Sequence, residues 1–243
     1  MKKIYGLLGR DIGYSFSKGF FTEKFTKENL DCEYNNFDLK QIENFKEVIN
    51  DPSIQGLNVT IPYKEEVVSY LDNLDTVAKE IGAVNVIKFE KDKKLTGFNS
   101  DYYGFTEALK PLLNKSIKKA LILGTGGASK AIAYALDKLG ITHTFVSRNP
   151  DFNELSYIDL DEDIMNEYRL VINCTPLGTH PNIEDFPNIP YEYITENHVF
   201  FDLIYNPAET TFMKKGKEKG AKVSNGLQML ILQAQKSWEI WNS

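Results

Sequence analysis

Short apolar runs alternate with stretches of helical spacing along most of the chain, the pattern of an α/β protein. Lys3 to Leu8 is an apolar strand ending at Gly9. Ser17 is placed to cap a helix from about Lys18 to Asn29, in which Phe20, Phe21 and Phe25 recur at helical spacing. Tyr34 to Phe37 and Ile54 to Val59 read as further strands. Between them Asp38 and Gln41 have the form of a capping box for a helix that Pro52 ends. Pro62 suits the first turn of a helix through about Tyr70, and Asp75 caps a short helix reaching Gly82. Val84 to Phe89 and Leu95 to Phe98 pair as a hairpin around Lys91-Asp92-Lys93. Asp101 to Leu113, capped by Asn99 or Ser100, is a helix into which Pro111 fits poorly. It is read as a hinge between two domains.

The second half is organised around Lys119 to Ala135, which reads as strand, glycine turn, helix. Gly124 allows the tight turn, Gly126 lets a pyrophosphate approach the backbone, and the helix from near Gly127 and Ala128 offers N–H groups to phosphate. The third small position of G-x-G-x-x-G falls on Ser129, so the turn alone also admits an ordinary βα connection. The helix ends before Gly140, and Ile141 to Ser147 completes a βαβ unit. That strand ends in Ser147-Arg148-Asn149, where NAD-binding proteins usually carry an acid for the ribose hydroxyls. Arg148 attracts a 2′-phosphate, so the expected cofactor is NADP(H). One charge-assisted hydrogen bond is worth about 1.5–3 kcal/mol, or roughly a 10- to 150-fold preference. Leu170 to Cys174, Val199 to Ile204 and Ala221 to Ser224 are further strands. A helix from about Thr210 to Lys219 ends at Gly220, and a last helix opens at Asn225-Gly226. Asn149 to Glu167 is acidic and poorly patterned.

Composition narrows the class. The chain has 243 residues, enough for one large core or two modest ones. Its net charge of −6, with no long basic run, argues against a nucleic-acid partner. The first residues have too short an apolar stretch for a signal peptide, and nothing approaches a membrane span. Cys32 and Cys174 are isolated, so they read as reduced cytoplasmic thiols rather than a disulfide framework or a metal site.

Several strings then belong together. Gly56-Leu57-Asn58-Val59-Thr60-Ile61-Pro62-Tyr63-Lys64 resembles the GxNVTxPxK signature of shikimate dehydrogenases, and Gly97 to Gly104 resembles their GxNTDxxG. Ser15-Phe16-Ser17, Gly82-Ala83-Val84-Asn85, Asn173 to Gly178, Asp202 to Pro207 and Asn225 to Ala234 are similar to further family segments, in family order. The resemblance implies an N-terminal α/β substrate domain and a Rossmann-type NADP-binding domain, with a C-terminal helix returning to the first domain. The boundaries expected are 1–100 plus 226–243, and 101–225. The reaction implied is the reversible, NADPH-dependent reduction of 3-dehydroshikimate to shikimate, on the route to chorismate and the aromatic amino acids. It implies a small-molecule substrate, no metal, and a cytoplasmic monomer or homodimer.

The resemblance also assigns roles. Lys64 is the proton donor, with Asp101 beside it. An ammonium stabilises a developing alkoxide and then protonates it, and a carboxylate keeps the lysine charged and aimed. Ser15, Ser17 and Tyr205 take the substrate carboxylate; Thr60, Asn85, Asp101 and Gln233 take the hydroxyls. Gly124, Gly126, Gly127 and Ala128 line the pyrophosphate, and Arg148 and Asn149 the 2′-phosphate. Thr175 and Leu203 lie near a ribose, and Gly226 and Met229 by the nicotinamide. Taken without the family, each has a plainer reading. Lys64 is a surface lysine, Asp101 a first-turn acid, Ser17 a helix cap, Gln233 a polar helix face, and Tyr205 and Met229 core.

Four positions depart from the family pattern: Tyr14 for His, Lys18 for Pro, Ser100 for Thr, and Asn149-Pro150 where a Thr usually follows. The alternatives are a quinate/shikimate dehydrogenase with relaxed cofactor use, and a non-catalytic nucleotide-binding regulator on the same fold. Retention of both Lys64 and Asp101 argues against the regulator.

Overall fold

The computed structural model describes residues 2–13 and 15–243. The first of two units runs up to Asp101 and includes Gln233–Ser243; the second is Tyr102–Leu232. Chain order in the first is β1 (Lys3–Gly9), α1 (Phe16–Lys27), β2 (Cys32–Asp38), α2 (Phe45–Val48), β3 (Ile54–Val59), β4 (Asn73–Leu74), α3 (Thr76–Ile81), β5 (Val86–Phe89) and β6 (Leu95–Phe98). There follow α4 (Asp101–Leu109), β7 (Lys119–Leu123), α5 (Gly127–Lys138), β8 (Thr142–Ser147), β9 (Leu155–Ser156), α6 (Glu162–Glu167), β10 (Leu170–Asn173), β11 (Val199–Asp202), α7 (Thr211–Glu218), β12 (Lys222–Ser224) and α8 (Leu227–Trp241). The change of unit falls inside α4 and inside α8, six residues past the start of the latter helix.

The first unit is built on a six-stranded mixed sheet in the order β2-β1-β3-β5-β6-β4. β1 runs parallel to β2 and β3, and the β5–β6 hairpin adds antiparallel to β3. As a strand flanked on both sides, β1 is buried from Tyr5 to Gly9. One face packs Tyr5, Phe21, Phe25 and Tyr34 with Trp238 and Trp241 from α8. Gly56 makes this possible, because a Cβ there would lie 2.3 Å from the Trp241 ring. Trp241 Nε1 donates to the Ile87 carbonyl at 3.0 Å, so the helix is tied to the sheet by a hydrogen bond as well as by area.

Three local expectations change here. Ser15, not Ser17, caps α1: its Oγ accepts from the Lys18 N–H at 3.3 Å, and Ser17 falls buried in the first turn. Two serines two residues apart offer the same local signal, and burial decides between them. The helix expected between Asp38 and Pro52 is a 3₁₀ turn, Ile42–Asn44, followed by one turn of α-helix. Asp38 does not cap it; its carboxylate accepts from the Asp11 N–H at 2.9 Å and the Ile12 N–H at 3.2 Å. The helix expected from Pro62 is a 3₁₀ segment, Glu66–Tyr70. The turn before it is held from outside, by Tyr63 OH donating to the Leu39 carbonyl and by the Val84 N–H donating to the Lys64 carbonyl, each at 2.7 Å.

The second unit carries a six-stranded, all-parallel sheet in the order β12-β11-β10-β7-β8-β9. Read from β7 outward, this is the doubly wound order, with the reversal between β7 and β10. β7, β10 and β11 are apolar nearly throughout, as strands covered on both faces must be. The poorly patterned stretch after β8 folds into β9, a 3₁₀ turn at Tyr157–Asp159 and α6. α4 gives way at Pro111 to a 3₁₀ turn, Lys110–Leu112.

Candidate active site

Lys64 stands in the turn after β3, and Asp101 opens α4. The Asp101 N–H donates to Asn99 Oδ1 at 3.0 Å, so Asn99 caps the helix that presents the carboxylate. Asn99 is itself anchored, donating from Nδ2 to the Ala83 carbonyl at 2.9 Å. Lys64 Nζ lies 2.7 Å from Asp101 Oδ2, with the two side chains 14% and 8% exposed. The other carboxylate oxygen, Oδ1, accepts from Asn85 Nδ2 at 2.8 Å. Each oxygen is thus given a donor, one charged and one neutral, which offsets the desolvation that burial imposes on an ion pair. The lysine is aimed by the carboxylate, and at 14% exposure its side chain stays open enough to meet a small ligand.

Asn85 connects this pair to the interior. Its Oδ1 accepts from the Ser100 N–H at 2.6 Å, and its Nδ2 also reaches Ser100 Oγ at 3.0 Å and Gln233 Oε1 at 3.4 Å. Asn85 and Gln233, expected at the site, therefore come together with Lys64 and Asp101. Ser17 is brought near the same network through Tyr34, with whose phenol it hydrogen-bonds. Thr60 immediately follows β3 and is held by its N–H to the Leu8 carbonyl at 2.8 Å. Ser15 is half-buried at the α1 N-terminus, and Lys18 is exposed. Tyr14 lies outside the described residues. Tyr205 belongs to the second unit, in the loop after β11. Among the described residues no group of His, Cys, Asp and Glu is arranged to hold a metal.

In the second unit the glycine turn sits at the switch point of the sheet. Gly124 has φ +99°, which favours glycine, and its missing Cβ would lie 3.2 Å from Thr175 Cγ2. The loops after β7 and β10 therefore meet where a doubly wound sheet takes its ligand. Gly126 caps α5, is exposed, and has open space where a side chain would be. The first-turn N–H groups of α5, at Gly127 and Ala128, have no intrahelical acceptor. An uncovered backbone at the N-terminus of a helix of this length is a cradle that fits a pyrophosphate. Ser129, at the imperfect third position, is buried and donates to the Gly126 carbonyl at 2.6 Å, which fixes the turn in place of a glycine. Arg148 and Asn149 are exposed beyond β8, where the Asn149 N–H donates to Ser147 Oγ at 3.2 Å. The charge of Arg148 acts on the phenol of Tyr157, opposing the upward push of burial.

Two assigned residues have a structural reason as well. A Cβ on Gly226 would lie 2.1 Å from the Leu203 carbonyl oxygen, so glycine there serves a close approach of two backbone segments. Met229 is buried among Phe105, Leu109 and Phe201. Thr175 is positioned by Asn173, whose Oδ1 accepts from both its N–H at 3.0 Å and its hydroxyl at 2.6 Å. Asn173 Nδ2 in turn donates to Asp202 Oδ1 at 3.1 Å, and Asp202 Oδ2 accepts from the Thr210 hydroxyl at 2.6 Å. Asp202 is fully buried, and burial pushes its carboxyl up to about 6. This supporting residue was not singled out for such a role by the sequence, although an acid ending an apolar strand is the signal that marks it.

The family pattern described as the shikimate dehydrogenase substrate binding domain matches residues 7–87. A curated relative, the shikimate dehydrogenase (NADP(+)) of Clostridium botulinum, is 39% identical, over 97% of this chain and 95% of its own length. A shikimate dehydrogenase crystallised with NADP+ is 36% identical and superposes with a TM-score of 0.86, covering 99% of this chain and 90% of that one. The shikimate 5-dehydrogenase of Thermus thermophilus, solved with NADP(H) and shikimate, is 31% identical with a TM-score of 0.86, over 98% of this chain and 93% of that one.

Proposed function

The chain belongs to the shikimate dehydrogenase family, and from that premise we propose that it catalyses the NADP-dependent, reversible reduction of 3-dehydroshikimate to shikimate. The observation that carries this reading is the Lys64–Asp101 pair at 2.7 Å with Asn85 on the second carboxylate oxygen. In the reductive direction the Lys64 ammonium stabilises negative charge as it grows on the ketone oxygen, and then transfers one proton to it. The product carries a new C–H and O–H bond, and the neutral amine regains its proton from water. In the oxidative direction neutral Lys64 takes the hydroxyl proton. Asp101 keeps the amine aimed and accepts a hydrogen bond from a ring hydroxyl. NADP(H), when bound, supplies or accepts the hydride.

The remaining roles follow the family match residue by residue. Ser15, Ser17 and Tyr205 are assigned the carboxylate, and Thr60, Asn85 and Gln233 the hydroxyls. The first unit is the substrate domain and the second the cofactor domain. Gly124, Gly126, Gly127 and Ala128 would hold the pyrophosphate, and the open backbone at Gly126 supports that. Arg148 and Asn149 would hold the 2′-phosphate, supported by their exposure beyond β8. Thr175 and Leu203 would lie near a ribose, and Gly226 and Met229 near the nicotinamide. The reading carries a cytoplasmic enzyme of aromatic biosynthesis, acting on a small molecule as a monomer or homodimer. The free thiols of Cys32 and Cys174 support a reducing compartment. Among the described residues no helix is long and apolar enough to cross a membrane.

The test is a set of initial rates of cofactor reduction with shikimate and with quinate, each with NADP and with NAD. Turnover confined to shikimate with NADP is expected. No turnover of either acid by a protein that binds NADPH overturns the reading.

A further inference from the structure

A buried line of side-chain hydrogen bonds crosses the first unit and ends on Asp101, and four of its members, Tyr34, Asn58, Ser237 and Ser100, have no assigned role in the reaction. Tyr34 OH donates to Asn58 Oδ1 at 2.8 Å. Asn58 Nδ2 donates to Ser237 Oγ at 2.8 Å and to the Asn85 carbonyl at 3.3 Å. Ser237 Oγ donates to the Gln233 carbonyl at 2.9 Å and lies 3.3 Å from Ser100 Oγ. Ser100 meets Asn85, and Asn85 meets Asp101. Tyr34, Asn58, Asn85, Ser100, Ser237 and Asp101 are all buried. The line joins residues of β2, β3, α4 and α8.

The donors and acceptors along it have one consistent assignment. The Asn85 carbonyl can only accept, so the Asn58 amide nitrogen faces it, and Asn58 Oδ1 is left for the Tyr34 phenol. Burial pushes the Tyr34 phenol well above its ordinary range, so it remains a donor. Ser237, whose own proton goes to the Gln233 carbonyl, must accept from Asn58, and it offers a lone pair to the Ser100 hydroxyl. The Ser100 N–H can only donate, so Asn85 turns its oxygen toward Ser100 and its nitrogen toward the Asp101 carboxylate. Reversing any one amide leaves two like groups facing each other in a dry interior.

We propose that Tyr34, Asn58 and Ser237 are positioning residues for the Lys64–Asp101 pair: they hold Ser100 and Asn85 in the one arrangement that donates to Asp101 Oδ1, leaving Oδ2 to Lys64. None of the three touches the reacting atoms. The proposal rests on the dehydrogenase reading. Lys64 is the charged group facing Asp101, and Asn85 the neutral one.

Ser237→Ala and Tyr34→Phe each remove one hydroxyl from the line without adding volume. In shikimate oxidation both variants are expected to lose about tenfold in kcat, the effect of one weakened hydrogen bond to a charged group. For Ser237→Ala the KM for shikimate stays within about twofold. For Tyr34→Phe it rises as well, because Ser17 loses its partner. The loss in kcat at unchanged KM in Ser237→Ala is the mark of positioning, since a merely structural role moves neither. The carbon-13 carboxyl chemical shift of Asp101 at one pH, wild type against variant, reads the altered hydrogen bond from Asn85 without turnover. Folded variants with wild-type kcat and wild-type Asp101 carboxyl shift overturn the proposal, and so does a loss confined to thermal stability. Absence of turnover in the wild type, with the Asp101 carboxyl shift still displaced in the variants, overturns the dehydrogenase reading and leaves the positioning intact.

Discussion

Lys64 Nζ and Asp101 Oδ2, separated by 37 residues in sequence, lie 2.7 Å apart in a setting where neither side chain is more than 14% exposed. Replacing the amine leaves the carboxylate with its Asn85 donor, so the local fold has reason to survive. Lys64→Ala is expected to lower kcat by roughly 10²–10⁴ with an unchanged circular dichroism spectrum. A variant with near-normal kcat would remove Lys64 from the mechanism.

The second prediction concerns cofactor choice. Arg148 is exposed beyond β8, with no acid at the strand end to repel a 2′-phosphate. Arg148→Ala should raise the KM for NADP by about 10- to 150-fold and leave that for NAD where it was. Equal kcat/KM for the two cofactors in the wild type, unaffected by the substitution, would sink the assignment.

Two glycines of the nucleotide turn should separate stability from binding. Gly126 has an ordinary extended backbone, φ −78°, and open space beside it. Gly126→Ala should cost less than about 1 kcal/mol in the free protein and yet weaken NADPH binding, read by titration calorimetry, about tenfold or more. Gly124 has φ +99°, so Gly124→Ala should instead destabilise the free protein by about 1–2 kcal/mol. If both variants bind NADPH as the wild type does, the turn is an ordinary βα connection.

The buried carboxyl of Asp202, pushed up to about 6 by burial against the pull of Thr210, the Ile204 N–H and Asn173, makes stability depend on pH. An unfolded aspartate ionises near 3.9, so between that value and about 6 the folded state holds the proton more tightly. Asp202 therefore costs nothing at low pH; its contribution falls as pH rises through this window and is level above it. The whole decline is about 3 kcal/mol. Denaturant unfolding of the wild type and of Asp202→Asn should give a difference in free energy that drops between about pH 4 and about pH 7 and then stays flat. A difference constant across that range contradicts the assignment.

The sequence carried the strands, the βαβ unit and the Lys64–Asp101 pairing because each leaves a local mark: an apolar run, a glycine at a turn, a string in family order. It was silent where distant groups decide. Ser17 looks like the cap until it is buried against Tyr34 and Ser15 takes the Lys18 N–H instead. Asp38 looks like a cap until the Asp11 and Ile12 N–H groups take its carboxylate. The helical promise of Pro62 yields to bonds from Tyr63 and Val84. Asn58 and Ser237 are 179 residues apart, and no window on the sequence brings them together.

The packing of α8 on the first unit also sets an order on synthesis. Trp238 and Trp241 fill the aromatic layer over Tyr5, Phe21 and Phe25, and the ring of Trp241 takes the space left by Gly56. A ribosome finishes Tyr102–Leu232 before it makes the segment from Gln233 that this layer requires. Until that segment is released, the earlier unit waits with an uncovered aromatic shelf, exposed apolar surface of the kind that chaperones exist to shield.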